Sequence, residues 1–244
     1  MLALPWVIER GPEIVLVVPA ELAESLCARL KRYVLRARVE LEVLAAEALA
    51  FATLGPAAPG SATPAHTVSA PGVSVLSFRN RTLLAGPAAL LEPAVASLGR
   101  PRLTGNEWRR ALIAAGEPDV VGEASEQWVA QMLNVDLTDG ISFSKGCYTG
   151  QEIVARTQNL GRIKRRTLRY RATGATGATG ATRLPAVLEP LRAGTAKVGE
   201  VVVAAETEDG FELLAVVALE ARSLPLATAA GTLLEALPLP YPVP

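Results

Sequence analysis

"NVDLTDGISFSKGCYTGQEIVARTQNLGRIKRR" runs from Asn134 to Arg166 and divides two regions of different character. It holds Cys147, one of only two cysteines in the chain. Gln151 and Glu152 open a helical pattern that predicts a helix running to Gly161. "GISF" (Gly140–Phe143) reads as a short strand leading toward it. Gly146 and Gly150 are placed to let the backbone turn tightly around Cys147. The thiol then precedes a first helical turn, where backbone N–H groups and the helix dipole favour an anion, and Lys145 adds a positive charge two residues away. Both effects favour the thiolate, the nucleophilic form of cysteine. A structural turn whose cysteine merely packs is the alternative, and the residues alone leave the two open.

Downstream, Arg156, Arg162, Lys164, Arg165, Arg166, Arg169 and Arg171 form a basic run with no acidic residue among them. Such a run suits a polyanion, phosphates or a chain of carboxylates, but a solvated charged face is the commoner origin. "RATGATGATGATR" (Arg171–Arg183) is a low-complexity tract that buries little and reads as a loop. "KVGEVVVAAE" (Lys197–Glu206) and "FELLAVVALE" (Phe211–Glu220) then predict a small all-β module. The composition shift places a domain boundary near residue 164, giving regions 1–163 and 164–244.

Upstream, "EIVLVV" (Glu13–Val18) reads as a strand. A helix follows Pro19 with Leu22, Leu26, Leu30 and Val34 on one face. "VELEV" (Val39–Val43) alternates strictly, as a half-buried strand does. Residues 55–72 read as a loop. "GVSVLSF" and "RTLLAG" read as a hairpin. Thr104 to Glu107 fit a capping box before a helix that carries Trp108, Leu112 and Ala115 and stops at Gly116. Ser125 reads as the cap of a further helix with Trp128, Met132 and Leu133 on one side.

The 244 residues are half hydrophobic, and 24 basic side chains balance 24 acidic ones. That excludes a disordered chain and gives no global nucleic-acid or membrane signature. Cys27 and Cys147 are too few for a disulfide framework, and Cys27 reads as a packing residue on the first helix. His66 is the only histidine, read as a loop residue, which argues against a histidine-based triad or a multi-histidine metal site. No phosphate-binding loop, dinucleotide fingerprint or nucleophile elbow is present. The N-terminus is charged too soon for a signal peptide, and no apolar run reaches membrane-spanning length. A cytoplasmic protein is the default expectation.

The central stretch resembles the signature of the YgfZ family, folate-binding relatives of the glycine-cleavage T-protein. The pattern Lys-Gly-Cys-Tyr-x-Gly-Gln-Glu is met at Lys145, Gly146, Cys147, Tyr148, Gly150, Gln151 and Glu152. Val154–Arg156, Gly161–Arg165, "RLKRYVLRARVEL" and the final "PLPY" are similar to the family as well. The resemblance implies an α+β fold, with T-protein-like folate-binding modules of mixed or antiparallel sheet and helix, closed by a small C-terminal β-barrel. It implies tetrahydrofolate or a derivative as cofactor. It further implies a role supporting assembly or repair of iron–sulfur clusters, including those of tRNA-modifying enzymes. Lys145 and Cys147 inherit the functional positions. Trp108, Tyr148, Gln151, Glu152, Arg156 and Arg162 are the folate-binding candidates, with the basic run available to the ligand's glutamate tail. Partners would be folate and iron–sulfur client proteins, with no membrane, no direct nucleic-acid contact and a monomeric state.

The chain departs from the family pattern in three places. Ala114 stands where a glutamate is usual, which removes an acceptor worth about 1–3 kcal/mol of ligand binding. Ala130 replaces a common proline. The chain is also expected to begin inside the family pattern, so folate affinity is expected to be weakened or lost. The alternative function is a folate-dependent aminomethyltransferase, but the "NEWRRALIAAG" stretch lacks the acidic residues its acid–base chemistry needs. An RNA-binding module is the third reading and rests on the basic run alone.

Overall fold

The computed structural model describes residues 1–44, 48–54, 65–70, 72–78, 81–97, 102–159, 161, 163–173 and 183–244. The chain divides into two compact units, Leu2–Trp108 and Arg109–Pro244, with Met1 joining the latter.

The first unit opens with β1 (Trp6–Arg10) and β2 (Glu13–Val17), an antiparallel hairpin in which Trp6 faces Val17 and Arg10 faces Glu13. The sequence pattern predicts only β2. β1 is short, and its strand-forming Trp6-Val7-Ile8 lies too close to the N-terminus to show a period. α1 (Ala20–Lys31) follows Pro19 as expected, but of its apolar stripe only Leu22 is fully buried. The expected strand over Val39–Val43 is absent, since residues 38–44 carry no strand pairing. Alternation makes a segment fit for a sheet, but a strand exists only where a neighbour takes its N–H and C=O groups.

β3 (Ala48–Leu54), β4 (Ala65–Ala70), β5 (Val73–Phe78) and β6 (Arg81–Pro87) form an antiparallel sheet in the order β3-β6-β5-β4. The β5–β6 hairpin is as expected. The loop expected over 55–72 is corrected at its end: His66 lies in β4, opposite Leu76. Thr67 and Val68 are good strand formers and outweigh the flanking Pro and Ala. Residues 55–64 lie outside the described residues. α2 (Ala88–Ser97) buries Leu91, Ala94 and Val95 against Val73, Val75 and Leu84. Ile8 packs with Leu76, Leu83 and Ala85.

α3 (Gly105–Ala115) is held by the predicted capping box. The Thr104 backbone N–H and hydroxyl donate to the Glu107 carboxylate at 2.7 and 2.8 Å, and the Glu107 N–H returns a bond to Thr104 Oγ1 at 3.2 Å. Gly116 ends the helix at φ +66°, and a Cβ there would come within 2.7 Å of Leu239. The expected Ser125-capped helix is replaced by two 3-10 turns, Gly122–Ala124 and Ala130–Leu133. Glu126 and Asn134 take positive φ, at 66° and 58°, which no continuing helix permits. Trp128 and Leu133 are buried nonetheless. "GISF" forms no strand. α4 (Gln151–Asn159) forms where expected, without a single fully buried side chain.

β7 (Arg165–Thr173), β8 (Pro190–Ala193), β9 (Ala196–Thr207), β10 (Gly210–Ala218), β11 (Leu226–Ala227) and β12 (Leu233–Leu237) close a barrel in the order β10-β7-β12-β11-β8-β9. Closure leaves no strand edge open. Residues 174–182, most of the Gly/Ala/Thr tract, lie outside the described residues. Phe211, Leu213, Ala215 and Val217 alternate along β10 and build the core with Tyr170, Leu191 and Val201.

The Tyr170 hydroxyl is buried in this core with no hydrogen-bond partner among the described residues. Burial pushes its pKa up to about 12. A raised pKa means the folded state holds the proton after the unfolded chain has lost it. Stability is therefore complete below pH 10 and falls between about pH 10 and 12, by roughly 2–3 kcal/mol. Tyr170→Phe is expected to flatten that alkaline loss, and to leave neutral-pH stability unchanged or higher because an unpaired hydroxyl is removed. Urea unfolding at pH 8, 10 and 11.5 checks both.

Candidate functional site

The signature residues sit on one continuous loop and helix of the second unit. Residues 142–150 are all exposed, and Cys147 is a free, exposed thiol four residues ahead of α4. Gly150 takes φ +89°, so the turn into α4 requires glycine there. Gly146 has no positive φ, and a Cβ added there would meet nothing within 4 Å, so only one of the two glycines is needed by the backbone. The turn is locked by Gln151, whose Oε1 accepts the Tyr148 N–H at 3.1 Å while its own N–H donates to the Tyr148 carbonyl at 3.2 Å. Lys145 Nζ stands 4.6 Å from the centroid of the Tyr148 ring, a cation–π contact across Cys147. Glu152, exposed in the first turn of α4, complements the helix dipole. Phe143 and Ile153 are exposed on either side, so the thiol is presented on a partly apolar surface.

What holds this loop out is an anchor at its two ends. Arg166 donates to Asp136 bidentately, Nη1 to Oδ1 at 2.6 Å and Nη2 to Oδ2 at 2.9 Å, and Nη1 also reaches the Gln131 carbonyl at 2.9 Å. The side chains are only 4% and 7% exposed, so the pair is shielded from solvent. One residue further, Asn134 Nδ2 donates to the Thr167 carbonyl at 2.8 Å, and Thr167 Oγ1 to the Met132 carbonyl at 2.9 Å. Gln131 Nε2 donates to the Val154 carbonyl at 2.8 Å and ties α4 to the same anchor. The 3-10 turn Ala130–Leu133 and the start of β7 are thus clamped together, and the signature is the loop between them.

Part of the basic run is spent on such pairs. Arg169 bonds Glu212 at 2.6 Å and Arg171 bonds Glu235 at 2.8 Å, in addition to Arg166 with Asp136. The Arg171 hydrogen bond, then its charge, holds the Glu235 carboxyl below the usual range. Three of the seven cations are therefore structural, which removes much of the case for an RNA-binding surface. Arg156 is exposed on α4 with no ion pair among the described residues; Arg162 lies outside them.

Trp108 belongs to the first unit, half-buried, with its ring centroid 6.4 Å from that of Trp6 and tilted 50° to it. Three residues escape a reading of the sequence. Trp6 is one, and only a β reading of "PWVIER" points to it. Asp136 is another, because its importance depends on a distant partner. The third is Glu117, a buried carboxylate directly after the helix-ending Gly116, where no motif marks it.

Trp108 of the first unit offers an indole face; in the second unit Arg156 and Lys145 make no ion pair to a carboxylate among the described residues. An open cleft of about 460 Å³ in the second unit has Asp136, Thr157, Arg166 and Leu219 in its wall, but not Cys147 or Tyr148. Among the described residues no group of three or more His, Cys, Asp or Glu side chains is placed to hold a metal, and no helix is long and apolar enough to cross a membrane.

No family model matches the chain. Curated proteins do. The tRNA-modifying protein YgfZ of Colwellia psychrerythraea is 32% identical over 171 residues, which is 65% of this chain and 52% of that protein. Its namesake in Klebsiella pneumoniae is 33% identical over 177 residues, 69% of this chain and 51% of the relative. That of Pectobacterium atrosepticum reaches 48% over 59 residues, 24% of this chain and 18% of the relative. The chain spans about half the length of the relatives it matches most extensively.

Proposed function

The chain belongs to the YgfZ family, and on that premise we propose that it is a folate-binding accessory protein that supports iron–sulfur cluster assembly or repair, including in enzymes that modify tRNA. The observation that carries the reading is the exposed Cys147, held out on a clamped loop with Lys145 and Tyr148 beside it. A thiol meant only for packing would be buried. The exposed Phe143, Tyr148 and Ile153 suit a thiol that must reach another protein.

Tetrahydrofolate, when bound, supplies a carrier for a one-carbon unit. This chain's own contribution is to hold it, and we assign the pterin to Trp108, by stacking. Gln151 acts indirectly, by fixing the turn that presents Tyr148.

Calorimetric titration with tetrahydrofolate tests the cofactor. Saturable binding that Trp108→Ala weakens by about tenfold or more is the expected result, since base-like rings stacked on aromatic side chains contribute about 1–3 kcal/mol. No saturable heat at millimolar ligand would remove folate from the reading.

A further inference from the structure

After β12 the chain runs on as Pro238–Pro244 (PLPYPVP), and four of these seven residues are proline. Proline fixes φ and has no N–H, so such a segment is stiff and extended but unsuited to a strand ladder. It pairs with no strand among the described residues. Its side chains alternate: the four prolines are exposed, while Leu239, Tyr241 and Val243 are half-buried. Tyr241 ties the segment down. Its hydroxyl donates to the Gly116 carbonyl and accepts from Asn134 Nδ2 at 3.4 Å. The fit is close, since a Cβ on Gly116 would lie 2.7 Å from Leu239 and 2.9 Å from Tyr241.

These contacts reach the stem of the signature loop. Asn134 is wholly buried and takes φ 58°. Its Nδ2 donates to the Thr167 carbonyl at 2.8 Å as well as to Tyr241, so both of its hydrogens are used and the amide plane is fixed. Its own carbonyl accepts the Leu137 N–H at 2.9 Å and the Thr138 hydroxyl at 3.2 Å. The Gly140 N–H closes the turn on the Val135 carbonyl at 2.9 Å. The exposed residues 142–150 follow directly. Pro244, at the far end of the segment, shares a cleft wall with Asp136 and Arg166, the clamp pair of the same stem.

We propose that this segment is a strap and that Tyr241 is a positioning residue for Cys147, holding through Asn134 the turn that launches the signature loop. The proposal rests on the reading of Cys147 as the working thiol. The prolines keep the strap extended, and the Tyr241 hydroxyl is the pin.

Two measurements on the full chain test it, with circular dichroism checking the fold of each variant. Hydrogen exchange reads the stem amides of Leu137 and Gly140 against those of β9 and β10. A nitroxide on Cys147, in a Cys27→Ala background, reads the motion of the loop itself. Tyr241→Phe keeps the ring over Gly116 and removes only the hydroxyl. It is expected to speed stem exchange by about tenfold, to sharpen the nitroxide spectrum and to leave the barrel amides unchanged. Gly116→Ala, whose Cβ pushes on Leu239 and Tyr241, is expected to have the same effect by displacing the strap. Unchanged stem exchange in Tyr241→Phe would overturn the proposal. So would a faster stem with an unmoved nitroxide, or exchange that rises equally in β9 and β10. Neither measurement needs folate or a client protein, so a failed folate titration and a failed strap are told apart.

Discussion

Arg166→Met is expected to lower stability by about 3–5 kcal/mol, because it leaves the Asp136 carboxylate buried without its partner. Against a typical total of about 5–15 kcal/mol, that is enough to populate unfolded chain at ordinary temperatures. Three properties set the size of the effect. The pair is bidentate, it is nearly inaccessible to water, and Arg166 also donates to the Gln131 carbonyl, a second bond that is lost with it. Urea unfolding measures the loss. The exposed Arg171–Glu235 pair is the control: Arg171→Met is expected to cost only a small fraction as much, because solvent already screens that interaction. The double variant Arg166→Met/Asp136→Leu is expected to recover most of the loss, since removing both charges removes the desolvation cost of each. A double variant no more stable than Arg166→Met would show that the pair is held for its geometry and not by its charge balance.

Cys147→Ala is expected to abolish function while leaving the fold intact. The side chain is exposed and makes no packing contact that alanine would lose, so the unfolding curve should be unchanged. In a strain lacking the protein, Cys147→Ala should fail to restore iron–sulfur-dependent tRNA thiolation, while Cys27→Ala should restore it. Cys27 is half-buried on α1 and serves packing. Lys145→Ala is the intermediate case. It removes both the charge near the thiol and the contact with the Tyr148 ring, and is expected to slow alkylation of Cys147. Full complementation by Cys147→Ala would reduce the signature to a structural turn built on Gly150 and Gln151.

The turn at Gly150 into α4, the Thr104 capping box and the β5–β6 hairpin are legible in the sequence because each is local: the partners lie within a few residues, and backbone geometry alone brings them together. The all-β character of residues 197–220 is legible for the same reason, as β-branched and aliphatic runs show their preference residue by residue. So is the signature around Cys147, but the residues alone leave open whether the thiol packs or is presented, and its exposure comes from the structure.

Other features cannot be read in this way. Val39–Val43 has a strand's pattern and no strand's partner, because pairing is a property of two segments. His66 reads as a loop residue because the prolines and alanines around it outweigh a short run that a neighbouring strand can stabilise. The basic run is the clearest case. Seven cations in sequence determine a charge density. Only the fold, by bringing Asp136, Glu212 and Glu235 from distant parts of the chain, decided that three of them are structural. Sequence by itself determined the local chemistry of this protein, the thiol, its turn and its helix. The tertiary structure decided which charges remain free to act, because a charge is neutralised by what lies near it in space and not by what precedes it in the chain.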